Sequence, residues 1–125
     1  NPKVTKKPST ITACVKNGIE DLIKYADHHD ESKPTDVAVR TAESVAEIMD
    51  FGRWSVDEFD ISLFEGKWEG IEIVAVNKKS QRRLAFCIDG NSGEIEVQQV
   101  YRDMKKSKCV VETLPIVTLK EWSRG

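Results

Sequence analysis

Between Gly70 and Tyr101 apolar and polar residues alternate in two runs parted by turn-forming residues, a pattern that a chain satisfies by building an antiparallel sheet with one buried face. Ile71, Ile73 and Ala75 fall on one side of the first run and Val74 and Val76 on the other, until Asn77-Lys78-Lys79-Ser80-Gln81 breaks it. Leu84, Phe86 and Ile88 resume the alternation, Asp89-Gly90-Asn91-Ser92-Gly93 supplies residues that tolerate a turn, and Ile95 and Val97 alternate with Glu94 and Glu96. The reading is two hairpins in series, a meander. Strand side chains change face at every residue, so Leu84, Phe86, Ile88, Ile95 and Val97 share a face that needs a cover, while the other is rich in glutamate and glutamine.

The cover is expected upstream. Ala38, Ala42, Val45 and Met49 recur at helical spacing behind the N-cap residue Thr35, with Asp36 in the first turn and Gly52 as the stop, which predicts a helix from Thr35 to Phe51. A second stripe of Ile11, Val15, Ile19, Leu22 and Ala26 predicts an earlier helix, although Gly18 inside it costs roughly 1 kcal/mol relative to alanine. Phe59, Ile61 and Leu63 mark a first strand, with Ser55 and Glu58 spaced as a capping box for a helical turn before it. Cys109 to Thr113 marks a last strand, the expected sheet edge because Pro115 follows. Thr118 and Glu121 have capping-box spacing, and Trp122 is placed to fold back as a plug. The fold class expected is α+β: one or two N-terminal helices packed on one face of an antiparallel meander of about four to five strands.

At 125 residues, 39% hydrophobic and 32% charged, the chain can bury a core without metal or disulfide staples. One domain is expected over residues 9–125, preceded by a flexible basic tail over 1–8, with a second flexible link from Asp27 to Pro34. No apolar run approaches the roughly 20 residues that span a bilayer, so no membrane span is expected, and the compartment is left open. Cys14, Cys87 and Cys109 are odd in number and lack a C-x-x-C pair, so free thiols are the default, with one bridge open as the alternative.

Charge is unevenly spread. From Glu20 to Glu72 there are fifteen acidic residues against five basic, and from Ile73 to Lys108 eight basic against four acidic. One reading is an acidic surface that steers a basic partner, together with a basic hairpin tip at Lys78, Lys79, Arg82 and Arg83. The other is that solubility alone demands such outer faces. Nucleic acid is disfavoured, since no aromatic residue interleaves with the basic tip to stack a base. His28 and His29 are adjacent and read as an exposed helix end, so no metal or cofactor is expected. Nothing places a histidine beside a cysteine, and there is no glycine-rich phosphate loop, so the chain is not expected to be an enzyme.

The order of helix, strand, strand and the segment Leu84-Ala85-Phe86-Cys87-Ile88-Asp89-Gly90-Asn91-Ser92-Gly93-Glu94-Ile95 resembles a PepSY-type domain. The likeness rests on Asp89, Gly93, Glu94 and Ile95, and on the small residues Ala38, Ala42 and Ala46, and covers about half the chain. It implies a non-catalytic domain, often extracytoplasmic and proposed to restrain proteases, and it brings no catalytic residue. The leading expectation is therefore a small binding or inhibitory module that acts through protein–protein contacts. Trp54 and Trp68 are its candidate anchors, with Glu58, Asp60, Glu65 and Glu69 around them, while core packing is the competing role for both tryptophans. The alternatives are an acidic immunity-type protein that neutralises a basic toxin or enzyme, and a small-molecule-binding or enzymatic α+β domain whose pocket Phe86, Met49 and Leu84 would have to leave unfilled. Oligomeric state is left open.

Overall fold

In the computed structural model the described residues are 9–52 and 54–114. The elements run α1 (Ile11–His28), α2 (Asp36–Phe51), β1 (Phe59–Gly66), β2 (Gly70–Asn77), β3 (Arg83–Ile88), β4 (Ile95–Asp103) and β5 (Lys108–Leu114). The five strands form one antiparallel sheet in sequence order, so the meander extends to both ends and β1 and β5 are its edges. The expected tail at 1–8 and the features expected at Thr118, Glu121 and Trp122 lie outside the described residues.

Both helices begin as their sequences require. Thr35 is the N-cap of α2, its hydroxyl accepting from the Ala38 N–H at 3.2 Å, and Gly52 is the C-cap. At the start of α1 the Thr10 hydroxyl accepts from Ala13, and the Asp50 carboxylate, from the far end of α2, accepts from the Ile11 and Thr12 N–H groups at 2.9 Å each and from the Thr12 hydroxyl. Two of the N–H groups that any helix leaves open at its start are thus satisfied by its neighbour. α1 ends in a Schellman arrangement: Asp30 has φ 55° and the Glu31 N–H returns to the Ala26 carbonyl at 2.8 Å. The expected flexible link is accordingly shorter than read, because the helix runs through His28 and the link is tied at its start by that bond and at its end by Thr35 N–H to Glu69 O, 2.9 Å.

α1 packs on α2 and β1, and α2 on β2 and β3. Between them lie Ile11, Val15, Ile19, Ala38, Ala42, Val45, Ala46 and Met49 from the helices and Ile71, Ile73, Leu84, Phe86, Ile88 and Val97 from the sheet. The register aligns Leu63, Ile73, Phe86 and Val97 in one row across four strands. Phe86, Met49 and Leu84 are fully buried and fill the space between helix and sheet. Gly18, unfavourable for a helix, lets α1 lie against β1: a Cβ there would stand 2.9 Å from Leu63 Cδ1. Ser55 leads a hydrogen-bonded turn, not a helix, before β1, its carbonyl accepting from Glu58 and Phe59. No helix among the described residues is long and apolar enough to cross a membrane.

Candidate functional site

Alternate turns of a meander fall at alternate ends, so the β1–β2 turn and the β3–β4 turn meet at one end of the sheet, joined there by the start of α2. Their backbones touch. Gly90 N–H donates to Lys67 O at 3.0 Å, and the Thr35 hydroxyl donates to Gly90 O at 2.6 Å. A Cβ on Gly90 would lie 1.9 Å from the Trp68 carbonyl oxygen and one on Gly70 2.0 Å from that of Ile88, so only glycine permits this approach. The Asp89 carboxylate accepts from the Asn91 and Ser92 N–H groups at 2.8 and 3.0 Å and closes its own turn. Those bonds, Ser92 first, hold the Asp89 carboxyl below its usual range.

Beside this junction, on the sheet face away from the helices, lies a groove of about 530 Å³. Cross-strand pairing makes it: Phe64 on β1, Glu72 on β2, Cys87 on β3 and Glu96 on β4 form one row. Asp89 and Glu94 also line it, as does Glu65 at the end of β1, whose register places it on the helix-covered face, and Lys67 is its one basic residue. The Cys87 thiol donates to Glu72 Oε1 at 3.6 Å. Burial pushes its pKa up from 9.0 to about 11, with the charges of Glu72 and Glu96 adding to the rise and Lys67 opposing it. A thiol held protonated by neighbouring carboxylates is a poor nucleophile at neutral pH. What the arrangement offers is a negative potential over a shallow polar floor.

Two aromatic side chains are exposed near it. Phe64 is 52% exposed and Trp68 68% exposed, and Trp68 and Glu69 both have positive φ, 55° and 60°. Bulky residues rarely adopt that conformation. Trp68, the sequence-based anchor candidate, is thus exposed on a strained turn next to Lys67, which lines the acidic groove. Trp54 takes the competing core role: it is 5% exposed, its ring 4.4 Å from that of Phe59 and 6.4 Å from that of Phe86.

The four acidic candidates divide. Glu65 and Glu69 stand at the Trp68 end of β1, but Glu58 and Asp60 stand at the other, where Lys78 approaches Asp60 at 3.8 Å and donates its backbone N–H to Glu58 O. The basic tip is partly engaged within the molecule: the Lys78 ammonium donates to Val56 O at 3.2 Å, and the Arg82 guanidinium stacks 5.6 Å from the Tyr101 ring centre. Lys79 and Arg83 are exposed. Sequence reasoning passed over Glu72, Glu94, Glu96 and Phe64 as site residues. The alternating glutamates of β2 and β4 were the available signal, but only the register shows that Glu72 and Glu96 flank the same cysteine.

All three cysteines are free, with Cys109 exposed and Cys14 and Cys87 half-buried. Among the described residues no group of three or more His, Cys, Asp or Glu side chains converges to hold a metal ion. Comparison of the chain with protein families, curated proteins and solved structures gave no match.

Proposed function

We propose that this domain is a non-catalytic protein-binding module of inhibitory or neutralising type, which docks a basic segment of its partner at the acidic end of the sheet. The observation that carries the reading is the groove at Cys87, walled by Glu72 and Glu96, with the exposed Trp68 on the β1–β2 turn whose Lys67 lines it. A strained, exposed tryptophan on a turn braced by glycine contacts is a costly surface feature, and such strain collects at functional sites. Tryptophan is also the residue type that most often anchors an interface, and it attracts cationic side chains over its face. Carboxylates around it favour lysine and arginine and speed their approach.

This favours the acidic, immunity-type reading over a shape-driven inhibitor of PepSY type. Asp89 and Gly93, on which that resemblance rests, have local work to do: one caps the turn, and the other takes φ 74° within it. The small-molecule or enzymatic reading has less support, since the helix–sheet space is filled and the Cys87 thiol is kept protonated.

The test is capture of partner proteins from source-cell lysate by the intact chain and by its Trp68→Ala, Glu72→Lys/Glu96→Lys and Lys79→Glu variants. The expected result is a basic partner that is held at low salt and released at 1 M, where the Debye length is about 3 Å. It is lost in the first two variants and retained in the third. Capture that ignores Trp68 and both glutamates would refute the reading.

A further inference from the structure

At the end of the sheet opposite the acidic groove lie the turns at 78–82 and 104–107, and their hairpins touch: the Arg82 guanidinium stands 5.6 Å from the ring centre of Tyr101 on β4. Lys79, Arg83, Arg102, Lys105, Lys106 and Lys108 are all exposed here. The carboxylates nearby lie to one side or are engaged. Asp57, Glu58 and Asp60 belong to β1 or the turn before it, where Lys78 approaches Asp60 at 3.8 Å, and β1 and β5 are opposite edges of the sheet. Asp103 turns its carboxylate onto its own hairpin, Oδ1 accepting from the Lys105 and Lys106 N–H groups at 3.0 and 3.3 Å, and Glu112 accepts from the Tyr101 hydroxyl at 3.0 Å. The surface left at the ends of β3, β4 and β5 is positive.

One apolar side chain stands among these charges. Met104 opens the β4–β5 turn and is 79% exposed, with Arg102 before it and Lys105, Lys106 and Lys108 after it. The turn itself does not require methionine: Asp103 closes it, and Ser107 takes its positive φ of 50°. A flexible, unbranched apolar side chain ringed by cations at a hairpin tip suits a surface that is anionic outside and apolar beneath. A nucleic acid offers the charge without the apolar layer, and Tyr101, the ring between the two hairpins, is already engaged by Arg82 and Glu112 and not open to a base.

We propose that this basic end docks on an anionic phospholipid surface, with Met104 entering the headgroup boundary and the lysines and arginines of both hairpins beside the headgroup phosphates. Both tips project from one end of the sheet, so a flat surface meets them together. The acidic groove, at the other end of the strands, is left facing away from the lipid, whose charge repels its carboxylates. The contact is peripheral and uses no membrane-spanning helix. Each lysine or arginine held near such a surface gains about fivefold in affinity. The surface uses neither Trp68 nor Cys87, so it stands apart from the docking site proposed at the acidic groove.

The experiment is co-sedimentation of the intact chain with vesicles of phosphatidylcholine and phosphatidylserine, set against vesicles of phosphatidylcholine alone. Binding is expected to the first and not to the second, and it fades as salt is raised. Lys105→Gln/Lys106→Gln is expected to weaken it by about twentyfold and Met104→Ser by about threefold, with unchanged melting temperatures because all three side chains are exposed. Trp68→Ala is expected to bind as the parent chain does. The proposal is overturned if phosphatidylserine makes no difference, or if Met104→Ser binds vesicles as tightly as the parent chain. It is also overturned if a single-stranded oligonucleotide is bound more tightly than the vesicles, which would assign the surface to nucleic acid, or if Trp68→Ala abolishes vesicle binding, which would move the lipid contact to the other end of the sheet.

Discussion

Trp54 and Trp68 sit at the two ends of β1 and do opposite work, and their substitutions separate the roles. Trp54 packs between Phe59 and Phe86, so Trp54→Ala is expected to cost about 3–5 kcal/mol by urea denaturation. Trp68 is exposed at φ 55°, where a side chain is penalised, so Trp68→Gly is expected to stabilise the fold by about 0.5–1 kcal/mol while weakening partner capture. Cys87 gives a pH signature. Its folded pKa of about 11 lies above the ordinary 9.0, so the folded state holds this proton more tightly than the unfolded chain. The stabilisation is complete below pH 9 and is lost as pH rises from 9 through 11. Urea midpoints measured across that range are expected to fall less steeply in Cys87→Ala than in the parent chain.

At the scale of elements, the helices lean on each other as well as on the sheet. Asp50 at the end of α2 serves as acceptor for the start of α1, so Asp50→Ala is expected to lower stability by about 1–2 kcal/mol, read from the thermal midpoint, with Asp50→Asn recovering part of it. Most of the element pattern was legible beforehand. Thr35 and Asp36 start α2 as their capping chemistry predicts, the helix stops at Gly52 although its φ of −77° does not use glycine's left-handed freedom, and the period-two runs give strands with the expected buried face. Asp50 was not legible as a cap, because it lies 39 residues from the N–H it satisfies. Ser55 and Glu58 have capping-box spacing, and the Ser55 carbonyl does accept from the Glu58 and Phe59 N–H groups, but only three residues separate Ser55 from the start of β1, so a single turn forms before the sheet claims the backbone.

For the whole molecule, a single core joins both helices to β1–β4, so unfolding is expected to be one cooperative transition, with far-UV and near-UV circular dichroism giving coincident melting curves. Charge is organised on the same scale. In sequence the acidic and basic residues divide into an earlier and a later half. In space they cluster towards opposite ends of the strands, with Lys67 among the acidic residues and Glu58, Asp60 and Asp103 among the basic ones. The turns at 67–69 and 89–94 carry Glu69, Asp89 and Glu94 to one end, joined by Glu65, Glu72 and Glu96. The turns at 78–82 and 104–107 carry Lys78, Lys79, Arg82, Lys105 and Lys106 to the other. By itself the amino-acid sequence determined the helices, the strands and which face of each strand is buried, because capping and periodicity act over a few residues. The acidic groove, the division of labour between the two tryptophans and the meeting of two basic hairpins at one end were decided only by tertiary structure. They depend on register and on close backbone approach at Gly70 and Gly90, and those bring together residues that no local pattern connects.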